Sequence, residues 1–557
     1  MAVESSEIGW LHGHGASTDK PPGVVVRLFC VFLICSAVLF DLAFWFVHTQ
    51  TGMPDLRARP HPVVDLILYR NVLDKPAPYE LLMGETAGDA LVDYASRVFA
   101  LVGNNRRLIL AFQLPFLVLL LASVTTLGGR LGGWYGAVLA CFAAATAPTT
   151  IGTALECDNL LAVQALVAAS IALLVFSLKP GRAILALPAG ALLKLVRDFS
   201  VLHSHSILAF AFVFAVVLTI FLLYFKRFGR STLRPQKLAP VVLWLIGFGY
   251  AAIQFQGGGT GSYYWYIRGE VSHAIHEGFS LGQTLLAYPT QWLRVQAGGA
   301  VGAATIAAII IAAIKRRLGT IAPFLVWLLF PMLFLGLLAK RNDYYAVAAL
   351  PAAFVLIGAG FGMVRKFRVA LGVLVVGLMF CHFLSLTAWP KAQLRPPTPA
   401  QLASLDLRGV LPTNWGFREE TVWNYAKSPY HHNWQQPIAT EVAAHCNRDK
   451  TPLLYIQSFG ANEMLDFGVW FANPGLVPFN VLYEDPGRLR KACLLVAERE
   501  GASLDWSLEQ ILRFRFKEGA QLPRESYKAS YYWLLERSPK FRVVKRFRFH
   551  TLYRWDE

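Results

Sequence analysis

Long apolar stretches alternate with short polar ones from about residue 24 to residue 389. Most of the apolar stretches approach 20 residues, the length that an α-helix needs to cross the hydrocarbon core of a bilayer. The pattern therefore predicts about eleven membrane-spanning helices. They lie near residues 24–48, 107–126, 133–150, 158–177, 182–197, 205–225, 238–255, 297–314, 321–339, 343–363 and 369–389. The span at 182–197 is the weakest, because it is short and carries Lys194.

From residue 390 onward the pattern changes. No membrane-length run occurs there, and charges of both signs are mixed with short apolar runs. The chain thus divides into a cytoplasmic arm (1–23), an all-α polytopic membrane domain (24–389) and a soluble C-terminal domain (390–557).

Composition supports this division. The 557 residues are 55% hydrophobic and 16% charged, whereas an average soluble domain is about 25% charged. The net charge of +17 does not indicate nucleic-acid binding, because the basic residues concentrate in short loops and in a mixed-charge tail. We find no zinc-finger or RNA-binding signature in the sequence.

The basic loops orient the predicted spans. Three clusters fall on one side of the membrane under this helix count, and the positive-inside rule makes that side cytoplasmic. Arg130, Lys179 and Arg182 fall on the same side. The loops 49–106 and 256–296, together with the C-terminal domain, are then predicted to lie outside the cytoplasm. The three clusters are Lys226, Arg227, Arg230, Arg234 and Lys237; Lys315, Arg316 and Arg317; and Arg365, Lys366 and Arg368.

The first large outward loop, 49–106, carries several acids and tyrosines. Long loops without repeats are usually functional. Apolar residues between 91 and 102 recur at helical spacing and predict an amphipathic helix along the membrane surface. The other interpretation is a solvated cover with scattered charges. The residues that we consider for chemistry or acceptor binding are Asp55, Asp65, Tyr69 and Glu85.

Glu156 and Asp158 stand at the outward start of a predicted span. Two acids so close to the hydrocarbon edge suggest a polar cavity. Asp158 could equally be a helix cap or a first-turn acid favoured by the helix dipole.

The second large loop holds Tyr263 to Tyr266, Arg268, His273 and His276. The tyrosines also suit an interfacial aromatic belt. The two histidines, with Glu277, could hold a metal on one helical face, although nothing else supports a metal motif. A further outward group is Arg197, Asp198, His203 and His205, which is either part of a site or a self-neutralising loop.

Lys340, Arg341, Tyr344 and Tyr345 interrupt an apolar run that resumes at Leu350-Pro351. Charges are costly at the bilayer centre, so this cluster belongs at a membrane edge or in a polar cavity. Cations and tyrosine hydroxyls together are suited to gripping a lipid phosphate.

These patches resemble motifs of the family C glycosyltransferases (GT-C), in the branch of protein O-mannosyltransferases and lipid A aminoarabinose transferases. The resemblance covers roughly residues 24–389. The residues on which it rests are Asp65 followed by Tyr69, Ala147-Pro148 with Glu156-Cys157-Asp158, and Lys340 to Tyr345 with Leu350-Pro351. Three departures stand out: Leu66 where a second acid is common, Glu156 where Arg is common, and Glu85 to Asp89 where a Lys-Pro-Pro or His-Pro-Pro is common.

The resemblance implies an enzyme of a bacterial inner membrane that moves a sugar from a polyprenyl-phosphate donor to a periplasmic acceptor with inversion. It implies Asp65 as general base, with Asp55 as the rival, and Asp158 as an assisting carboxylate. Lys340, Arg341, Tyr344, Tyr345 and Arg268 would bind the donor phosphate. No cofactor is required, and a divalent metal is compatible with the scheme but unsupported. The alternative is a lipid-linked sugar transporter, whose class often shows inverted repeats that we do not find in this sequence.

Short apolar runs in the tail predict strands at 453–456 and 493–497, a helix within 462–472 and an edge or hairpin strand at 541–549. The tail is therefore predicted to be a small α/β domain. Cys446 and Cys493 could form a disulfide if the tail lies outside the cytoplasm.

Overall fold

The computed structural model of the protein describes residues 23–51, 91, 94–95, 97–98, 101, 111–154, 160–199, 203–228, 235–253, 289, 298–336, 349–364, 366–387, 435–446, 453–456, 479–480, 493–497, 541–547 and 550–555. Helices dominate the part up to residue 387, and a mixed sheet follows near the C-terminus. The helices are α1 (Val24–Thr51), α2 (Leu114–Ala145), α3 (Pro148–Ala154), α4 (Leu160–Ser177), α5 (Ala186–Asp198), α6 (His203–Phe228), α7 (Pro235–Ile253), α8 (Gly298–Ile314), α9 (Leu318–Gly336), α10 (Leu350–Gly362), α11 (Arg368–Thr387) and α12 (Gln435–His445).

Most predicted spans coincide with one helix, with ends that differ by a few residues. The spans predicted at 107–126 and 133–150 are the two arms of α2, which are joined by a turn at Gly133 (φ 68°, ψ −162°). The arms fold back on each other, because a Cβ atom at Gly128 would lie 2.5 Å from the Cβ of Ala140. The second arm ends at Ala145 and not at residue 150, so that boundary was wrong. Pro148 cannot extend the helix, because it lacks an N–H and its ring clashes with the carbonyl four residues earlier. It begins the short helix α3 instead.

The weakest predicted span, 182–197, is a helix as well. It starts with the 3-10 turn Ala183–Leu185 and continues as α5. The Lys194 ammonium donates to the Asp198 carboxylate at 2.5 Å, one turn away. This ion pair offsets the charge of Lys194 and supports the self-neutralising interpretation of the group around Asp198.

Three helical stretches among the described residues are long and apolar enough to cross a bilayer: Val24–Ala43, Ala111–Ala145 and Leu160–Ser177. Shorter apolar helices of 10–17 residues accompany them. Large apolar side chains such as Phe32 and Val373 are exposed on the outer faces of α1 and α11, as lipid-facing positions require. The chain is a multi-pass membrane protein.

Glycines bring α2 and α10 into backbone contact. A Cβ atom at Gly132 would lie 2.2 Å from the carbonyl oxygen of Gly358, and one at Gly362 would lie 2.4 Å from the Cα of Gly132. A Cβ at Gly358 would likewise lie 2.4 Å from the carbonyl oxygen of Gly136. Small residues four positions apart allow such close approach between membrane helices. The order of these contacts shows that α10 runs antiparallel to the second arm of α2.

The C-terminal part contains a five-stranded sheet with strand order β2-β1-β3-β5-β4. β1 pairs in parallel with β2 and β3, β5 is antiparallel to β3, and β4 and β5 form an antiparallel hairpin. The strands predicted at 453–456 and 493–497 are confirmed, and the one predicted at 541–549 is confirmed over Phe541–Arg546, whereas the helix predicted within 462–472 lies outside the described residues. The strands are β1 (Leu453–Ile456), β2 (Phe479–Asn480), β3 (Cys493–Ala497), β4 (Phe541–Arg546) and β5 (His550–Trp555).

A disulfide and a hydrogen bond connect α12 to this sheet. Cys446, just after α12, forms a disulfide with Cys493 in β3, across a Cα–Cα distance of 6.0 Å. The predicted cysteine pair is therefore confirmed. Lys545 of β4 also donates a hydrogen bond to Glu441 of α12, and this bond lowers the pKa of the glutamate.

Replacing Cys446 with Ser should lower the free energy of unfolding of the C-terminal part by about 2–4 kcal/mol, because the disulfide closes a long loop in the unfolded chain. The two cysteines are 47 positions apart. Urea unfolding of the full chain, followed by proteolysis of the tail, measures the change. Cys381→Ser in α11, a free and exposed thiol, is the control. Equal midpoints for both variants would contradict a stabilising role for the bond.

Candidate active site

The side chains to which the sequence analysis assigned catalytic or binding roles lie outside the described residues. Those roles remain predictions. These side chains are Asp55, Asp65, Tyr69, Glu85, Glu156, Asp158, Arg268, His273, His276, Lys340, Arg341, Tyr344 and Tyr345. The described helices show where the segments that carry them begin and end. Segment 155–159 connects α3 to α4, and segment 337–348 connects α9 to α10.

The helix ends that flank these two segments lie at the same end of the bundle. Gly362 of α10 contacts Gly132 beside the turn of α2. Leu350, at the start of α10, is therefore roughly 18 Å from that turn, at 1.5 Å per helical residue. Ala145, at the end of the second arm of α2, lies about the same distance from the turn and in the same direction. The end of the second arm of α2 and the start of α10 thus both lie at the end of the bundle opposite to the turn.

The short helix α3 lies at this end and packs against α1, α2 and α4. Its threonines Thr149, Thr150 and Thr153 are buried. Thr153 donates to the carbonyl oxygen of Thr149 at 2.9 Å, so its hydroxyl is satisfied within the helix. A helix with three buried threonines therefore directly precedes the segment that carries Glu156 and Asp158.

Asp41 is a buried carboxylate that sequence analysis missed. It lies on α1 with no exposed surface, and both of its oxygens lack a hydrogen-bond partner within the described part of the chain. It lies close enough to Cys141 to interact with it electrostatically, one turn before the end of α2. The available signal was an acid inside an otherwise apolar run, since ionisable residues within membrane spans are rare and usually functional.

Gln164 is a second polar side chain in a buried position that the sequence analysis did not single out. It is 2% exposed in α4, one turn after the helix begins, and neither of its amide atoms has a hydrogen-bond partner among the described residues. A buried amide without partners is costly, by about 1–3 kcal/mol. Gln164 lies near the start of α4, so its unpaired amide group is about one helical turn from the end of segment 155–159.

The predicted amphipathic helix of the first outward loop is confirmed in its described residues. Residues 91, 94, 95, 97, 98 and 101 are helical, and Leu91 and Ala95 are fully buried. Tyr94 packs edge-on against Phe116 at the start of α2, at 5.8 Å, and lies 6.2 Å from Phe199 just after α5. Burial raises the pKa of the Tyr94 phenol. The aromatic cluster therefore anchors this part of the loop to the bundle.

A metal centre is not evident in the part of the chain that the structure describes. No group of three or more His, Cys, Asp or Glu suited to holding a metal occurs there. The pair His273 and His276 lies outside it.

No protein-family model matches the sequence, and no curated protein matches it. Solved structures do resemble the fold. The apo structure of ArnT from Cupriavidus metallidurans matches with a TM-score of 0.55 at 12% identity, covering 95% of this chain and 98% of ArnT. The structure of the same protein bound to undecaprenyl phosphate matches with a TM-score of 0.52 at 12% identity, covering 94% and 97%.

A third structure, the arabinofuranosyltransferase AftD from Mycobacteria, matches with a TM-score of 0.45 at 11% identity. It covers 97% of this chain but 40% of AftD. The resemblance to ArnT extends over nearly the whole chain, and it confirms at the level of the fold what the short motifs indicated.

Proposed function

We propose that this chain, which has the fold of the GT-C membrane glycosyltransferases, transfers a sugar from a polyprenyl-phosphate donor to an acceptor outside the cytoplasm. The observation that carries the proposal is the match to ArnT along almost the entire length of both chains. One of those ArnT structures holds undecaprenyl phosphate, the kind of lipid phosphate that such a donor releases. The rival function is a transporter of lipid-linked sugars.

The carboxylates supply the base in this proposal. A hydroxyl or phosphate-type nucleophile needs a group that accepts its proton as it attacks. Asp65 takes this role, and Asp55 is the rival. Asp158, with Glu156 beside it, orients the acceptor or stabilises the positive charge that develops on the sugar. Direct displacement by the acceptor inverts the anomeric carbon.

Cations stabilise the leaving group. The departing polyprenyl phosphate gains negative charge in the transition state, and fixed positive groups offset it. Lys340 and Arg341 are placed to do so by their sequence position, with Tyr344 or Tyr345 donating a hydrogen bond and Arg268 helping from the second loop. The support is the position of the flanking helix ends, since α10 starts at the end of the bundle where α3 and α4 meet.

The remaining predicted residues serve the acceptor. Tyr69 and Glu85 in the first loop and His273 and His276 in the second are the candidates for acceptor contacts. The location that suits this chemistry is a bacterial inner membrane, with the active site and the C-terminal α/β domain in the periplasm. The Cys446–Cys493 disulfide supports that side for the tail, because disulfides persist in oxidising compartments.

A reconstitution experiment separates the enzyme from the transporter. The purified full chain is incorporated into vesicles with a radiolabelled polyprenyl-phosphate sugar and an outer-leaflet lipid extract. Label that moves to a new lipid, polysaccharide or protein product supports the transferase. Label that crosses the vesicle membrane while still attached to its carrier refutes the transferase and supports the transporter.

Replacing Lys340 with Ala should raise the KM for the donor by about 10–100-fold, because a hydrogen bond between charged groups contributes about 1.5–3 kcal/mol. Initial rates at varied donor concentration give the change. Lys226→Ala, which removes an exposed cation at the other end of the bundle, is the control. If both variants keep the donor kinetics of the natural protein, Lys340 does not contact the donor.

A further inference from the structure

Three cations that interact electrostatically lie at the end of the bundle opposite to the helix ends that flank segments 155–159 and 337–348. Arg130 lies in the first arm of α2, just before the interruption at Gly133. Lys179 and Arg182 lie in the connection between α4 and the 3-10 turn that precedes α5. We call Arg130, Lys179 and Arg182 the turn cluster. The positive-inside rule predicts that this end faces the cytoplasm.

The connection that carries Lys179 and Arg182 is a closed turn. The backbone N–H of Arg182 donates to the carbonyl oxygen of Lys179 at 3.1 Å. Gly181 has a φ of 76°, a conformation that suits glycine, and it follows Pro180. The Lys179 ammonium also lies over the ring of Phe176, 5.1 Å from its centroid. This turn between α4 and α5 therefore fixes the backbone at Lys179 and Arg182.

Arg130 is the buried member of the cluster. It is 9% exposed, and its Nε and Nη2 atoms have no hydrogen-bond partner among the residues that the structure describes. Taking an unpaired guanidinium out of water is strongly unfavourable. A basic residue that served only to orient the helices in the membrane would keep its charge in water.

The three charges also act on one another. Burial, followed by the positive charges of Arg130 and Arg182, lowers the pKa of Lys179. Like charges in one cluster repel one another, so an anion bound among them would stabilise this end of the bundle.

The described part of the protein does not supply that anion. Its acids are Asp41, Asp198 and Glu441. Asp198 pairs with Lys194 near the far end of α5, Asp41 lies beside Cys141 towards the opposite end, and Glu441 belongs to α12. The loops predicted on the side of the cluster contain no Asp or Glu in the sequence: 127–133, 178–183, 226–237, 315–318 and 364–368.

We propose that the turn cluster binds the phosphate of an anionic phospholipid headgroup. Basic pockets between membrane helices at the cytoplasmic surface are suited to such headgroups. Lys179, which is half-buried, and Arg182, which is exposed, present their charges to the headgroup, and the buried guanidinium of Arg130 adds a third positive charge behind them. The cluster lies at the ends of α4 and of the first arm of α2, on the side of the membrane that the positive-inside rule makes cytoplasmic, where headgroups of that leaflet are found. This binding is independent of the proposed transfer reaction.

The test measures the binding of lipids and of inorganic phosphate to the delipidated full chain in detergent. Thermal unfolding and native mass spectrometry are recorded with phosphatidylglycerol, with cardiolipin, with phosphatidylcholine and with inorganic phosphate. The two anionic lipids should raise the midpoint of unfolding and remain bound, whereas phosphatidylcholine should not. If inorganic phosphate gives the same protection as the lipids, the ligand is a free anion and the lipid assignment is wrong.

Variants locate the site. Arg130→Ala should weaken binding of phosphatidylglycerol by about tenfold, because it removes one of the three positive charges that attract the phosphate. Lys179→Ala and Arg182→Gln lie in the more exposed turn and keep the test valid if Arg130→Ala does not fold. Lys315→Ala, an exposed cation in another loop on the same predicted side, is the matched control and should bind normally.

Two results would overturn the proposal. One is equal affinity for phosphatidylglycerol in the natural chain, the three cluster variants and the Lys315 control. The other is a natural chain that anionic lipids do not protect, which would mean that acids of the N-terminal arm, such as Glu4 and Glu7, already occupy the cluster.

Discussion

Replacing Asp65 with Asn is expected to lower kcat for sugar transfer by roughly 10²–10⁴-fold, the usual contribution of a positioned general base. Asn keeps the size of the side chain but cannot accept the proton of the attacking group. Donor binding should change little, since the carboxylate acts on the acceptor. The assay is transfer of radiolabel at saturating donor, with donor affinity and the midpoint of thermal unfolding measured on the same preparation.

Asp55→Asn is the matched comparison, because Asp55 lies in the same loop and is the rival base. If Asp65 is the base, the Asp55 variant should retain most of the activity. A full loss with Asp55→Asn and normal turnover with Asp65→Asn would exchange the two assignments. Normal turnover by both variants would remove the first loop from the chemistry.

Introducing a single methyl group at Gly132 is expected to destabilise the bundle by about 1–3 kcal/mol, the usual cost of overpacking. The new Cβ would lie 2.2 Å from a backbone oxygen of α10, and the nearby Gly362 Cα is only 3.2 Å away. Backbone atoms cannot rotate aside as a flexible side chain can. The two helices must therefore separate, which should lower the yield of folded protein and the midpoint of thermal unfolding of Gly132→Ala.

Gly249→Ala is the control for this change. Gly249 is also helical, and a Cβ atom there would have no neighbour within 4 Å. Because Ala is the better helix former, this variant should be as stable as the natural chain or up to about 1 kcal/mol more stable. Equal stability of Gly132→Ala and Gly249→Ala would show that α2 and α10 tolerate separation.

The sequence predicted the helices well because each membrane span is a run of apolar residues between polar signals. The ends of α4, α8 and α11 fall within a few residues of the predicted ends. The end of α2 was missed because Ala147 is as apolar as the residues before it, and only Pro148 marks the break. A proline signal is stronger evidence for a helix end than the continuation of apolar residues.

The sequence could not predict which faces of the helices are buried. The segment Val24–Ala43 and the helix α4 have the same mean hydropathy of 2.4, yet most of α4 is buried inside the bundle whereas most of the first segment is exposed. Lipid and protein interior are equally apolar, so the pattern does not distinguish them. For the same reason the burial of Asp41 and Arg130 could not be predicted, although both charges are visible in the sequence.

The sequence predicted which segments carry the candidate site, but not how their side chains are arranged in space. Short phrases around Asp65, Asp158 and Lys340 indicated the fold, and the comparison with ArnT confirms the fold. The distances between those side chains depend on how long loops fold over the bundle. Periodicity carries no information on such loops.

The glycine contact between α2 and α10 has a mechanical consequence. No side chains lie between the touching backbones, so we expect α10 and the second arm of α2 to move as one unit about 18 Å long, at 1.5 Å per helical residue. One end of this unit lies beside Arg130 at the turn of α2, and the other end carries Leu350, where the segment with Lys340 ends. A displacement at one end of the unit is therefore expected to reach the other end.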